Sequence, residues 1–106
     1  MYRKVTVLSL IVLLGLLSGT VFASDGAALY KAKCATCHGP DGSGGTPMGK
    51  SLKVRDLRSD AVQKQTDIEL TKVISGGKGK MPPYGKQFSG ADIAAIIAYI
   101  RTLKAK

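Results

Sequence analysis

Three observations predict an all-α fold. The segment after Ser89 places Ile93, Ile96, Ile97, Ile100 and Leu103 at i, i+3, i+4, i+7 and i+10, which is one face of a helix. Oxygen-bearing cap residues precede three helical segments, at Ser24 or Asp25, at Thr66 and at Ser89. Gly/Pro-rich stretches separate these segments, and no run alternates apolar and polar residues as a half-buried strand does. The expected architecture is about three to five short helices in one small domain.

The chain has 106 residues and opens on Arg3 and Lys4, followed by an uncharged stretch from Val5 to Ala23 with its apolar heart at Leu8 to Leu17. Basic, apolar, then small and polar is the order of a signal peptide over residues 1–23, cut after Ala23. An uncleaved anchor is the rival reading, since nineteen helical residues span roughly 28 Å against a hydrocarbon core of ~30 Å. The helix-weakening Ser18-Gly19-Thr20 favours cleavage. Under either reading residues 24–106 form the domain, exported to the periplasm and either soluble or held at the membrane by that segment.

The first helix is expected from Asp25 into Cys37, with Ala28, Leu29, Ala32 and Cys34 facing inward. From Gly39 to Gly49 the chain has five glycines with Pro40 and Pro47, and no regular element is expected there. A loop of that length in a small domain is usually functional or wrapped around something. A short helical turn is expected near Asp60 to Gln63. Thr66-Asp67-Ile68-Glu69 matches the capping box, in which Thr66 caps the helix and Glu69 reaches back to the cap amide. That helix runs to about Ser75, stops at Gly76 and has a narrow apolar face of Ile68, Val73 and Ile74. A second Gly/Pro-rich loop, Gly76 to Gln87, surrounds Met81-Pro82-Pro83. The last helix starts at Ser89 with Asp92 in the box position, and Lys104 and Lys106 suit its negative end.

The composition says what these helices lack. Sixteen Lys and Arg against seven Asp and Glu give a formal charge of +9, of which +7 belongs to residues 24–106. Only 15 of those 83 residues are Leu, Ile, Val or Phe, below the ~20% under which a highly charged chain tends to stay unfolded. Ordering each residue costs on the order of 1.5 kcal/mol, so the domain needs a staple that is not protein. The two cysteines allow only one bridge.

Both cysteines and the one histidine lie in a single pentapeptide, Cys34-Ala35-Thr36-Cys37-His38. The spacing reads as covalent attachment of one c-type haem: two thiols on a helical turn each add to a vinyl group, and the next imidazole is carried under the iron. A thioredoxin-like pair would need a βαβ context, a structural zinc site four Cys/His ligands, and a plain disulfide a strained short loop. With no second histidine, the other axial ligand falls to Met81, held in a loop stiffened by two prolines. Met48 is the rival, ten residues beyond His38 where the opposite face is harder to reach, and an open or labile site is the third reading.

The run from Gly26-Ala27-Ala28-Leu29-Tyr30 to Cys34-Ala35-Thr36-Cys37-His38-Gly39-Pro40-Asp41-Gly42 resembles the start of class I cytochromes c, especially small bacterial and c6-like members. Gly76, Met81-Pro82 and Ile96 to Ile100 extend the likeness to nearly all of Ser24 to Leu103. The resemblance implies a small cytochrome c fold, helices around one covalent haem with the first and last helices crossing. It implies that the Pro47 carbonyl accepts the axial imidazole proton, Pro47 as a mere loop stiffener being the other reading. Gly26, Leu29 and Tyr30 are candidates for the crossing pair. Trp is absent, so Tyr84 and Arg55 stand as candidates near the propionates.

His/Met ligation leaves no place for substrate, so the expectation is a one-electron carrier of relatively high potential and not an enzyme. Lys33, Lys78, Lys80 and Lys86 would steer a monomeric carrier to acidic surfaces of redox partners, with dispersed solubilising lysines as the bland reading. Attraction to anionic membrane surfaces is compatible with this charge, whereas export excludes nucleic acid as the partner. Two other classes compete: a haem subunit anchored to an oxidase or dehydrogenase complex, and a ligand-binding or peroxidatic haem protein whose methionine leaves easily.

Overall fold

A computed structural model of the protein describes residues 24–104; the expected signal-peptide segment, residues 1–23, and Lys106 at the chain's end lie outside them. Among the described residues six helices follow one another: α1 (Gly26–Lys33), α2 (Ala35–His38), α3 (Pro47–Leu52), α4 (Asp60–Gln63), α5 (Asp67–Gly76) and α6 (Gly90–Thr102). No strand forms among the described residues; one isolated antiparallel bridge pairs Lys78 with Met81.

The cap chemistry forms where the sequence places it. Asp25 accepts from the Ala28 amide, and both capping boxes close reciprocally, Thr66 with Glu69 and Ser89 with Asp92. Two boundaries differ from expectation. The first helix breaks at Cys34, which ends α1 and starts α2 with φ −106° and ψ −37°. The stretch from Gly39 to Gly49 does contain the start of a helix, α3. Thr46 caps it by accepting from the Gly49 amide, and Pro47 sits in the first turn, where its missing N–H costs nothing. Glycine count hid this start, although the Thr-Pro pair marks it.

Helices α1 and α6 cross at Gly26, where a Cβ would collide with the carbonyl oxygen of Ala95. One turn on, the rings of Tyr30 and Tyr99 meet at 5.1 Å between centroids. The crossing therefore uses Gly26 with Tyr30. This register turns Ala28 and Ala32 to solvent, contrary to expectation, while Leu29 is half-buried and Tyr30 fully buried. On α5 the buried pair is Leu70 and Ile74, one turn apart and facing α6, whereas Ile68 is 70% exposed. The face of α6 is as expected: Ile93, Ile96, Ile97 and Ile100 are buried and Leu103 half-buried.

Side chains fasten the ends together. Arg101, on the last turn of α6, donates to the carbonyls of Gln63 and Gln65 at 2.9 and 2.6 Å and to the Asp67 carboxylate at 2.8 Å. Gln63 donates in turn to the carbonyls of Leu57 and Ile100. These bonds hold α4 and the start of α5 against the end of α6.

Candidate functional site

The pentapeptide Cys34 to His38 is one helical turn set at an angle to α1. The Cys34 carbonyl accepts from the amides of Cys37 (3.2 Å) and His38 (2.9 Å). Both thiols are free and half-buried; burial first, and then the neighbouring Cys37, pushes the Cys34 thiol up to about 11. The turn is braced from α3. The Thr46 hydroxyl donates to the carbonyls of Thr36 (2.7 Å) and Cys37 (3.1 Å) while accepting from the Gly49 amide. Gly49 itself packs against the Cys37 carbonyl, leaving no room for a Cβ.

His38 Nδ1 lies 3.3 Å from the carbonyl of Arg55. A carbonyl only accepts, so this bond requires the proton on Nδ1 and leaves the Nε2 lone pair free. Burial also lowers the imidazole pKa, which favours the neutral, ligating form. Of the two readings of Pro47, the acceptor that the resemblance implies is not the one found: Pro47 is the exposed first residue of α3, and the loop following α3 supplies the acceptor. Nothing in the sequence near Arg55 marks that role, because the contact is between backbone and a ring seventeen residues away.

Met81 is presented by a tight turn. Lys78 and Met81 exchange both backbone hydrogen bonds, at 3.1 and 3.0 Å. Gly77 (φ 73°) and Gly79 (φ 57°) take left-handed conformations that other residues avoid. The Tyr84 and Gly85 amides then donate to the carbonyls of Ile74 and Ser75, tying the loop to the end of α5.

His38 and Met81 line the same cavity, with Cys34 on its wall and about 560 Å³ of space between its atoms, the mouth included. Six of the eight buried core residues, Tyr30, Val62, Leu70, Ile74, Ile96 and Ile100, also form its walls. The core is thus built around a space. Two adjoining pockets share His38 and Met81 with it. One is lined also by Lys33, Cys34, Cys37, Pro82 and Tyr84, the other by Lys53, Arg55, Lys78 and Lys80. Met48 is 49% exposed on α3 and lines none of the three. Tyr84 lines the first of the adjoining pockets and Arg55 the second. The Tyr84 hydroxyl donates to the Lys33 carbonyl at 3.3 Å, and the Arg55 guanidinium donates to Gln65 Oε1 at 3.1 Å.

Comparison with known proteins agrees with this architecture. The family model described as cytochrome c oxidase, cbb3-type, subunit III matches residues 22–100. Cytochrome c6 of Picosynechococcus sp. is 31% identical over 100 residues, covering 90% of this chain and 85% of that protein. The chain belongs to the class I cytochromes c. The cbb3-type cytochrome c oxidase subunit FixP of Azorhizobium caulinodans is 32% identical to this cytochrome over 84 residues, but the cytochrome spans only 28% of that relative's length. The solved structure of the KustC0563 c-type cytochrome superposes with a TM-score of 0.71 at 30% identity, covering 76% of this cytochrome and 99% of that chain.

As a member of this family the cytochrome carries one covalently attached haem c and transfers electrons. The residues present suit that group. An apolar cavity accepts the macrocycle, and an imidazole nitrogen and a thioether sulfur are ligands that haem iron takes. The composition's demand for a non-protein staple is met at the same place, since the group would complete the core.

Proposed function

We propose that this cytochrome is a one-electron carrier and not an enzyme, whose haem would be linked through Cys34 and Cys37 and whose iron would be held by His38 and Met81. The observation that carries the reading is that His38 and Met81, from separate elements, line one apolar cavity beside Cys34. The haem supplies a reversible one-electron iron couple when bound, at a potential raised by thioether ligation relative to two histidines. The protein's part is positional. The Arg55 carbonyl fixes the imidazole tautomer, the Gly77–Met81 turn aims the thioether, and the isoleucine wall keeps water out. With His38 and Met81 both holding the iron, no position would be left for a substrate, which is why the reading is a carrier.

Arg55 is the propionate partner we favour. Arg58 and Arg101 each pair with an aspartate, while Arg55 has no carboxylate partner among the described residues and lines the cavity. Lys53, Lys78 and Lys80 line one pocket beside the cavity and Lys33 the other, and with Lys86 six residues beyond Lys80 they support docking of a monomer to acidic surfaces of redox partners, weakening as salt rises. Residues 1–23 would export the domain of residues 24–106 to the periplasm; among the described residues no helix is long and apolar enough to cross a membrane.

The test is the visible and far-red spectrum of oxidised holoprotein and of Met81→Ala. The thioether-to-iron charge-transfer band is expected in the first and lost in the second, where haem stays covalently attached and the reduced iron binds CO. An unchanged band in Met81→Ala rejects Met81 as the ligand. The oxidase-subunit match favours a second reading, a haem module working within one membrane complex. Under that reading the cytochrome fractionates with membranes at high salt, and a free carrier does not.

A further inference from the structure

The two walls of the cysteine-side pocket come from distant parts of the chain: the end of α1 with the pentapeptide, and the Met81 loop. One side-chain hydrogen bond crosses directly between them, from the Tyr84 hydroxyl to the Lys33 carbonyl, immediately before Cys34. The remaining hydrogen bonds that hold the Met81 loop fasten it to itself and to α5, on its own side. We propose that the Tyr84 hydroxyl is a latch that holds the Met81 loop shut against the attachment segment and so sets how often the iron is exposed to outside ligands. The inference rests on the Met81 ligation proposed above and assigns its lability to a positioning residue.

The geometry separates this role from packing. The Tyr84 ring stacks on Phe88 at 5.6 Å with 18° between planes and packs against the core, so Tyr84→Phe keeps ring, stack and backbone bonds and removes only the hydroxyl. The Lys33 carbonyl left behind is at a wet rim and can turn to water, so the fold tolerates the change. Opening moves Met81 together with Tyr84, because only two prolines separate them and Pro82 and Pro83 restrict the chain between. The latch and the thioether therefore leave together.

The experiment mixes oxidised holoprotein with excess imidazole and follows loss of the far-red thioether band. At saturating imidazole the observed rate is the opening rate of the loop. Tyr84→Phe should retain the band before mixing and open about two- to tenfold faster, the equivalent of one net hydrogen bond. Tyr84→Ala, which also loses the stack, should open faster still. Exchange of the Tyr84 and Gly85 amide hydrogens should accelerate in the same order. Equal rates in wild type and Tyr84→Phe, with the band intact in both, overturn the latch and leave Met81 ligation standing. A wild-type protein without the band overturns both.

Discussion

Replacing Gly26 by alanine adds one methyl group at the α1/α6 crossing, and the structure says where it must go. The new Cβ would overlap the Ala95 carbonyl oxygen and sit 3.2 Å from the Ile96 amide nitrogen. Both obstacles are backbone of α6, so no rotamer change relieves them and α1 must retreat as a body. Retreat lifts Tyr30 from its ring contact with Tyr99 and loosens the wall that Tyr30 and Ile96 give the cavity. Overpacking costs about 1–3 kcal/mol, and a rigid backbone obstacle puts this site toward the upper end. The helix-propensity gain of alanine over glycine, about 0.5–1 kcal/mol, acts in the other direction and leaves a net loss of about 2 kcal/mol. In a domain of this size 1 kcal/mol corresponds to about 4–8 °C, so the melting temperature should fall by about 8–16 °C. Gly90→Ala is the control, because nothing lies within 4 Å of a Cβ there and the propensity gain is unopposed. Thermal unfolding of both holoproteins, followed by circular dichroism and by the Soret band, makes the comparison. If Gly26→Ala melts with or above wild type, the close crossing is not what positions α1.

Gly77→Ala puts a Cβ 2.6 Å from the Met81 carbonyl at a φ of 73°, so the turn should shift and the far-red thioether band weaken at equilibrium while the haem stays attached. Arg55→Gln removes a cation from the cavity wall and disfavours the reduced iron; redox titration should give a lower reduction potential, and an unchanged value would reject Arg55 as the propionate partner. Asp92 is held below the ordinary carboxylate range by hydrogen bonds from Ser24 first and then from Ser89. A depressed folded pKa gives stability that is present above the unfolded value, ~3.9, and lost as pH falls through the folded one. Asp92→Ala should therefore melt below wild type at neutral pH, and the gap should narrow on acidification; a gap independent of pH would remove the carboxylate from the account.

Much of the fold was legible because its signals are local. A cap and its partner lie three residues apart, and the Ile93–Ile100 face repeats within one helix, so a short window holds the whole cause. The same holds for Cys34, Cys37 and His38, which share one turn. The misreadings were of two kinds. Glycine density from Gly39 to Gly49 outweighed the Thr46-Pro47 helix start, although both signals were present. The inward faces of α1 and α5 were read from apolar character alone, and Ala28, Ala32 and Ile68 turned outward because tertiary contacts choose among faces of similar hydropathy.

The sequence by itself determined the helical class, the caps, the attachment turn and the shortage of core that calls for a bound group. Only the tertiary structure decided that Gly26 meets Ala95, that Arg55 rather than Pro47 faces the imidazole, that Met81 rather than Met48 reaches the cavity, and that Tyr84 closes on Lys33. The physical reason is distance along the chain. Each of these contacts joins segments that no local periodicity relates, and three of them end on a backbone carbonyl, a group every residue has and no sequence marks.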